Sequence, residues 1–319
     1  MSRRWHDLTV VIVNYNGATW LHRCLSALFS QELLPGEVLL VDNASTDHSL
    51  EIVETFPEVR VLAQSENLGF AGGNNLALRH LDAPCRWVAL LNADAFVGED
   101  WLAVLQRATQ DAPDYAALGS RLLEASNPRI LDGLGDCCHI SGRVGRLHHG
   151  QKDSGAGPLQ EVFSVCAAAA LYQRSALEAV GGFDDDFFCF VEDVDLGFRL
   201  RLAGFSAAVV PRATVHHVGA GSSGGRFSPF AVYHGHRNLL WLYVKNMPGA
   251  LFWLFLPLHL GVQLAAIGRC VVRGQTRCVL HAKRDSLLGL GHAWRKRRRI
   301  QSGRSTSVYA IFTTLTKIP

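Results

Sequence analysis

The chain's 319 residues are enough for one large domain or two small ones, and 48% hydrophobic with 18% charged side chains excludes a disordered or fibrous polymer. Its formal charge of +3 joins two unlike parts: residues 1–245 carry 19 Lys/Arg against 27 acids, and residues 246–319 carry 12 against one, Asp285. An acidic body and a basic tail call for different partners.

Eight cysteines without a CxxC spacing argue for reduced, structural thiols in a cytosolic protein, not for disulfides or a zinc site. The opening MSRRWHDL runs into a strand pattern with no secretory signal. The apolar, β-branched run at 8–13 (LTVVIV) predicts a parallel strand buried on both faces. Helical spacing follows at 19–29, then a strand at 37–41 ending at Asp42, a helix at 46–56 and a strand at 59–63. A helix at 71–81 and a fourth strand at 87–91, ending in Asn92-Ala93-Asp94, complete the series. This alternation predicts a parallel α/β sheet with right-handed crossovers. Each polar cluster follows the carboxyl end of a strand, where such sheets bind ligands.

The pattern then loosens. Residues 132–157, rich in Gly and His, read as a hairpin plus a mobile loop. Residues 161–172 read as an apolar strand, with small side chains at 167–170 that allow close packing. A short strand at 205–210 stops before Pro211, and 230–245 reads as a helix.

Residues 181–204 (GGFDDDFFCFVEDVDLGFRLRLAG) hold six acids among five aromatics, with a helix from Val194 to Gly204. Acids at a helix start can be simple caps. Acids in an aromatic frame have a raised pKa, which suits a general base, so a catalytic carboxylate is the leading reading. Four earlier clusters supply a substrate. In VIVNYNG, Asn14 can bond a base or ribose and Tyr15 can stack, unless the segment is an ordinary turn. In VDNASTD, Asp42 can accept from an imide N–H such as that of uracil or thymine, while Ser45 or Asp47 caps the next helix. ENLGFAGGNN fails the GxGxxG pattern, yet its glycines let backbone approach a ligand. In LLNADA, Asp94 ends a buried strand, a costly position that a divalent cation bridging to a diphosphate would relieve.

Taken in order, VVIVNYNG, VDNASTDHS, ENLGFAGGNN, LLNADA, GGFDDDFFCFVEDVDLGFRLR and HHVGAGSS with HRNLLWLYVKNMP resemble the family 2 glycosyltransferases, and most closely their bacterial rhamnosyltransferase-like branch. The resemblance runs from residue 10 to about 248. It implies a GT-A nucleotide-diphospho-sugar transferase fold, a Rossmann-like, mostly parallel sheet flanked by helices, over 1–245. A helical, membrane-associating tail would occupy 246–319. It places Asn14 and Asp42 in the nucleoside pocket, and Asn67, Gly69 and Asn75 beneath the ribose and phosphates. Asn92 stands where the family's DxD element has its first acid, and Asp94 is the acid that would hold Mg2+ or Mn2+. Asp193 falls on the catalytic base with Glu192 beside it, and His217, or its neighbour His216, falls near the metal or diphosphate.

The implied reaction is inverting transfer from a dTDP-deoxysugar such as dTDP-rhamnose, or from a UDP-sugar. The acceptor would be a glycan or polyprenyl-linked glycan of a bacterial surface polysaccharide. A carboxylate pair would also suit a glycosidase, but a hydrolase needs no pyrimidine pocket, glycine loop or metal aspartate. A sugar-nucleotide nucleotidyltransferase would want basic residues in a glycine-rich loop near the amino end, which VNYNGATW lacks. A non-catalytic membrane scaffold keeping only the fold is the third alternative.

Residues 247–267 carry no formal charge over 21 positions, enough to span a bilayer, although Pro248, Pro257, His259 and Gln263 interrupt them. Arg269, Arg273 and Arg277 follow at helical spacing, and 295–299 reads RKRRR. Apolar bulk beside a cationic cluster suits a helix lying on the anionic inner face of the cytoplasmic membrane, with a single span at 247–267 as the second reading. No nucleic-acid-binding signature accompanies the basic run, so nucleic acid is not an expected partner.

Overall fold

The structure, a computed structural model, describes residues 3–219, 224, 225 and 227–316; the last four residues of the HHVGAGSS block lie outside them. The first half is β1 (Arg3–Asn14), α1 (Ala18–Phe29), β2 (Leu33–Asp42), α2 (Ser49–Glu54), β3 (Val59–Ala63), α3 (Gly69–Arg79) and β4 (Trp87–Leu91). β3, β2, β1 and β4 lie side by side and parallel, with Asn14 in register with Asp42. The expected alternation is therefore present. It brings the carboxyl ends of β1, β2 and β4 to one edge.

The sheet then becomes mixed. β5 (Ala95–Val97), α4 (Trp101–Asp111), β6 (Tyr115–Glu124) and β7 (Asn127–Gly133) lead to a two-stranded ribbon, β8 (Asp136–Cys138) with β9 (Val144–Arg146). β10 (Gln160–Val162), β11 (Ala169–Gln173), α5 (Arg174–Val180), α6 (Glu192–Leu202) and β12 (Ser206–His217) follow. The main sheet runs β10-β12-β6-β11-β4-β1-β2-β3, with β11 antiparallel to both β4 and β6. The alanines expected to allow close approach lie in and just before this inserted strand, and all four of 167–170 are buried.

The helices cover both faces. Leu21, Leu25, Leu28, Trp101 and Leu105 pack on one face, and Ala71, Ala77, Leu177, Leu196 and Leu200 on the other. A third core joins α6 to α7 (Pro229–Asn246) and α8 (Gly249–Val272); α9 (Thr276–Leu288) packs on these two through Val279 with Val232 and Cys270, and α10 (Leu290–Ser302) and α11 (Val308–Thr314) complete the core around Phe187, Phe198, Tyr243, Phe252 and Ile311.

Four expectations change. The helix expected over 46–56 is confined to Ser49–Glu54. Of the two residues expected at its start, Asp47 accepts from the Ser49 N–H at 3.0 Å, while the Ser45 hydroxyl bonds Asn14 and the Asn16 N–H. The strand expected over 161–172 breaks into β10 and β11, which β12 and β6 separate in the sheet, so the segment between them crosses from one to the other. β12 does not stop before Pro211. The ladder shifts register between Val210 and Thr214, a bulge that tolerates the missing N–H, and continues to His217. Finally, 132–157 is a hairpin as expected, but Asp132, Arg146 and Asp153 are fixed by His217, Cys166 and Arg121 of the body.

Candidate active site

At the β1–β2 edge, Asn14 Nδ2 donates to Asp42 Oδ1 and to Ser45 Oγ, both at 3.0 Å, and Ser45 N donates to Asp42 Oδ2 at 3.0 Å. Asp42 is only 1% exposed and forms the floor of this corner, while Tyr15 is 39% exposed at its mouth. Asn14 Oδ1 and Asn43 Oδ1 are buried without a protein partner. A Cβ on Gly17 would collide with Asn14 Oδ1, so glycine keeps that acceptor approachable. Two buried, unanswered acceptors beside a carboxylate suit a ligand that brings N–H and O–H donors.

The 66–75 loop is fastened by its own side chains. Asn67 Oδ1 accepts from Gly69 N at 2.8 Å, which supports the left-handed turn at Gly69 (φ +72°), and Asn43 Nδ2 donates to Gly69 O at 3.0 Å. Asn75 faces away from that corner. Its amide bonds Phe183 N and O at 2.8 and 2.9 Å and Asp185 Oδ1 at 2.6 Å, tying α3 to the acidic stretch.

Past β4, a chain of charge crosses the sheet. His217 Nε2 lies 3.3 Å from Asp94 Oδ1 and 3.5 Å from Asn92 Nδ2, and its Nδ1 lies 2.8 Å from Asp132 Oδ2. Neighbouring residues on a strand face opposite ways. His217 therefore meets the site and His216, half-buried beside Arg23 and Arg121, does not. Burial pushes the His217 imidazole down, but its bonds to Asp132 and Asp94 outweigh that and raise it to about 9. With Nδ1–H donated to Asp132, Nε2–H is the group that faces Asp94, and a cation held jointly by Asp94 and Nε2 would take the place of that proton. One carboxylate, one imidazole and one amide leave room for diphosphate oxygens around a hard divalent ion.

The second half of the site is the start of α6. Glu192 is 7% exposed with Oε2 buried and unpartnered, whereas Asp193 is half-buried and open to a substrate. Asp193 Oδ1 accepts from Val194 N at 2.8 Å. Burial raises the Asp193 carboxyl despite Arg146 and the backbone N–H groups of Val194 and Ala167. Burial, then the Asp193 charge, raises Glu192 further. Of the expected pair, Asp193 is the more exposed.

The approach to Asp193 is strained: Phe188, Phe190 and Val191 have φ of 61°, 68° and 73°. Asn238 holds this bend, with Nδ2 2.9, 2.9 and 2.7 Å from the carbonyl oxygens of Phe187, Cys189 and Phe190. Arg237 Nη2 adds bonds to the carbonyls of Asp186 and Phe187 at 2.7 and 3.0 Å. Asp184 and Asp186 are held by Lys296, and Asp184 also by Lys245.

The sequence reading missed Asp132, Asp136, Arg146, Cys166 and Asn238. The first four come from β7, the β8–β9 ribbon and the 163–168 crossing, which no sequence spacing brings together. Asn238 could have been found. Asn238, Leu242, Lys245 and Asn246 share one helical face, and a polar series on a face that also carries leucine marks buried hydrogen bonding.

The parallel half-sheet, its ligand corner and the acids beyond it define a GT-A transferase. The chain belongs to glycosyl transferase family 2, whose model it matches over residues 9–181. It is 31% identical over 246 residues to the N-acetylglucosaminyl-diphospho-decaprenol L-rhamnosyltransferase of Mycobacterium tuberculosis, covering 68% of this chain and 78% of that one. In structure it resembles GalNAc-T7, solved with UDP, GalNAc and Mn2+, at a TM-score of 0.60 and 14% identity over 75% of this chain and 47% of that one. It also resembles the mannosyltransferase PcManGT of Pyrobaculum calidifontis, solved with GDP-Man and Mn2+, at a TM-score of 0.55 and 20% identity over 96% of this chain and 86% of that one. The expected GT-A fold and the rhamnosyltransferase-like kinship both hold.

Proposed function

We propose that this glycosyltransferase is inverting and metal-dependent. It moves a deoxyhexose such as rhamnose from a dTDP- or UDP-sugar to a polyprenyl-linked glycan in cell-surface polysaccharide synthesis. The observation that carries the reading is the arrangement of Asp94–His217–Asp132 on one side and the accessible carboxylate of Asp193 on the other, at the carboxyl edge of the sheet. The kinship to the mycobacterial rhamnosyltransferase supports the choice of sugar and acceptor.

Asn14, Tyr15, Asp42 and the loop from Asn67 to Gly69 receive the nucleoside and ribose. Asp42 uses the lone pairs left by its two internal bonds. Asp94, His217 and Asn92 would hold Mg2+ or Mn2+, and when bound the ion would supply positive charge toward the leaving diphosphate. Asp193 takes the acceptor hydroxyl's proton as that oxygen attacks the anomeric carbon opposite the diphosphate, so one displacement inverts the centre. A raised carboxyl is the stronger base for this step.

The tail supplies the acceptor's location. α8 is long and apolar enough to cross a membrane. However, it lies along the body through Leu251, Phe252, His259 and Cys270, with His259 stacked on Tyr243 at 4.0 Å and 2.7 Å from Ser141 O. Its other face exposes Trp253, Leu254, Leu258 and Leu264, and α9 exposes Leu280, Leu287 and Leu288. An anchored helix with one apolar face outward favours lying in an anionic bilayer surface over spanning it. A screen of dTDP-, UDP- and GDP-sugars for metal-dependent binding and nucleotide release tests the proposal. Binding of one class with release on adding a lipid-linked acceptor supports it, and no binding of any sugar nucleotide refutes it.

A further inference from the structure

We propose that Arg146 is a positioning residue for the transfer reaction: one guanidinium joins the Asp132–His217–Asp94 arm to Asp136 and Cys166, the two side chains that border the carboxylate that receives the acceptor's proton. This rests on the reading of Asp193 as the base.

Arg146 closes β9 directly across the ribbon from Asp136. Its Nη1 bonds Asp132 Oδ2 at 2.7 Å, its Nη2 lies 2.8 Å from Cys166 Sγ, and its Nε lies 3.5 Å from Asp136 Oδ1. Three nitrogens thus point at three groups from three different segments. A lysine's single ammonium could not reproduce that fork. The path of the side chain is built for it. A Cβ on Gly133 would overlap Arg146 Cγ and Cδ, so β7 ends in the residue that leaves the arm its channel.

The guanidinium also accounts for a cluster that otherwise resembles a metal site. Donor atoms of Asp136, Cys166 and Asp193 all lie within 4.8 Å of one another. A thiol with two carboxylates is a mixed soft and hard donor set, unlike the all-oxygen sets that Mg2+ and Mn2+ favour, and Arg146 already contacts two of the three. The cation of this pocket belongs to the chain.

Its effect reaches Asp193. The titratable groups around that carboxyl are Asp136 on β8, Arg146 on β9, Cys166 before β11, Tyr172 on β11, and Cys189 and Glu192 at the start of α6. Among these only Arg146 is cationic. Without it, Asp136, Glu192 and Asp193 face one another with no opposing charge, and Asp193 holds its proton to higher pH. Asp132 loses one bond but keeps His217 Nδ1 at 2.8 Å, so the arm that faces the donor stays in place.

The test compares wild type with Arg146→Gln, Arg146→Lys and Gly133→Ala, using kcat against pH and calorimetric affinity for UDP and dTDP. Arg146→Gln should lower kcat at pH 7 by about 100-fold. It should move the acid limb up by about one pH unit or more and recover rate toward pH 9, with nucleotide affinity changed less than about threefold. Arg146→Lys should keep the acid limb near its wild-type position at reduced kcat. Gly133→Ala, which displaces the arm and keeps the charge, should shift the limb in the Arg146→Gln direction. An unchanged kcat, or a loss uniform at every pH in both Arg146→Gln and Gly133→Ala, overturns the proposal. Full activity in Asp193→Asn overturns the base reading itself. A wild-type Arg146→Gln profile in an enzyme that still needs Asp193 removes only the role of Arg146.

Discussion

Lys245 Nζ lies 2.9 Å from Asp195 Oδ1 in the interior, with Lys245 2% exposed and Asp195 fully buried. The same ammonium bonds Asp184, and Lys296 from α10 closes the cluster on Asp184 and Asp186. The basic tail is therefore bonded into the acidic stretch, and the helix that begins with Glu192 and Asp193 is fastened one turn below its start. Removing one partner of a buried ion cluster leaves uncompensated charge. Lys245→Met should destabilise the protein by about 3–5 kcal/mol in urea titration. A loss below about 1 kcal/mol would show that the cluster does not hold the fold.

His234 stacks on Phe188 at a centroid distance of 5.2 Å, beside the strained bend. Burial, then the charge of Arg237, holds His234 down to about 4, and burial with Lys283 and Arg269 does the same for His236. Unfolded histidines titrate near 6.5, so between about pH 6.5 and 4 the unfolded chain binds more protons. Stability from these groups is present above that window and falls with pH through it, by about 1.4 kcal/mol per pH unit for each histidine. Buried carboxyls raised in the fold act in the opposite sense, so the comparison isolates the histidines. A His234→Gln/His236→Gln protein should show a shallower acid loss of urea stability than wild type, and equal slopes would contradict the assignment.

Asp94 sits 3.3 Å from His217 Nε2. Asp94→Ala should remove the metal-dependent part of nucleotide binding, a drop of tenfold or more, about 1.4 kcal/mol, by calorimetry in Mn2+. Affinity unchanged by the mutation or by adding Mg2+ or Mn2+ would remove the metal from this position.

Leu254 and Leu264 are 66% and 69% exposed on the outer face of α8. Leu254→Asp/Leu264→Asp should abolish flotation with phosphatidylglycerol vesicles and leave urea stability within about 0.5 kcal/mol, as expected for exposed positions. Undiminished flotation would show that this face does not meet the bilayer.

Much of this was legible in the chain. LTVVIV, EVLLV and WVALL each mark a buried parallel strand, and Asn14, Asp42 and Asp94 lie at or just beyond the ends of such strands because the pattern fixes where the strands stop. What stayed hidden depends on long-range geometry. Asp132, Arg146 and Cys166 meet through a ribbon and a crossing whose sequences read as loop. Asn75 carries a loop motif's name but spends its amide on Phe183 and Asp185, because α3 aims it toward the acidic stretch. His217 and His216 could not be ranked until the bulge beyond Pro211 carried β12 forward and alternation gave them opposite faces.

The central claim is that Asp193 takes the acceptor's proton in a sugar transfer. The most direct measurement is the transfer rate of Asp193→Asn with the sugar nucleotide that the wild-type protein binds, alongside calorimetry of that donor. A rate reduced by about 100-fold or more, with donor affinity kept within about threefold, is the predicted result. A rate close to wild type would contradict it.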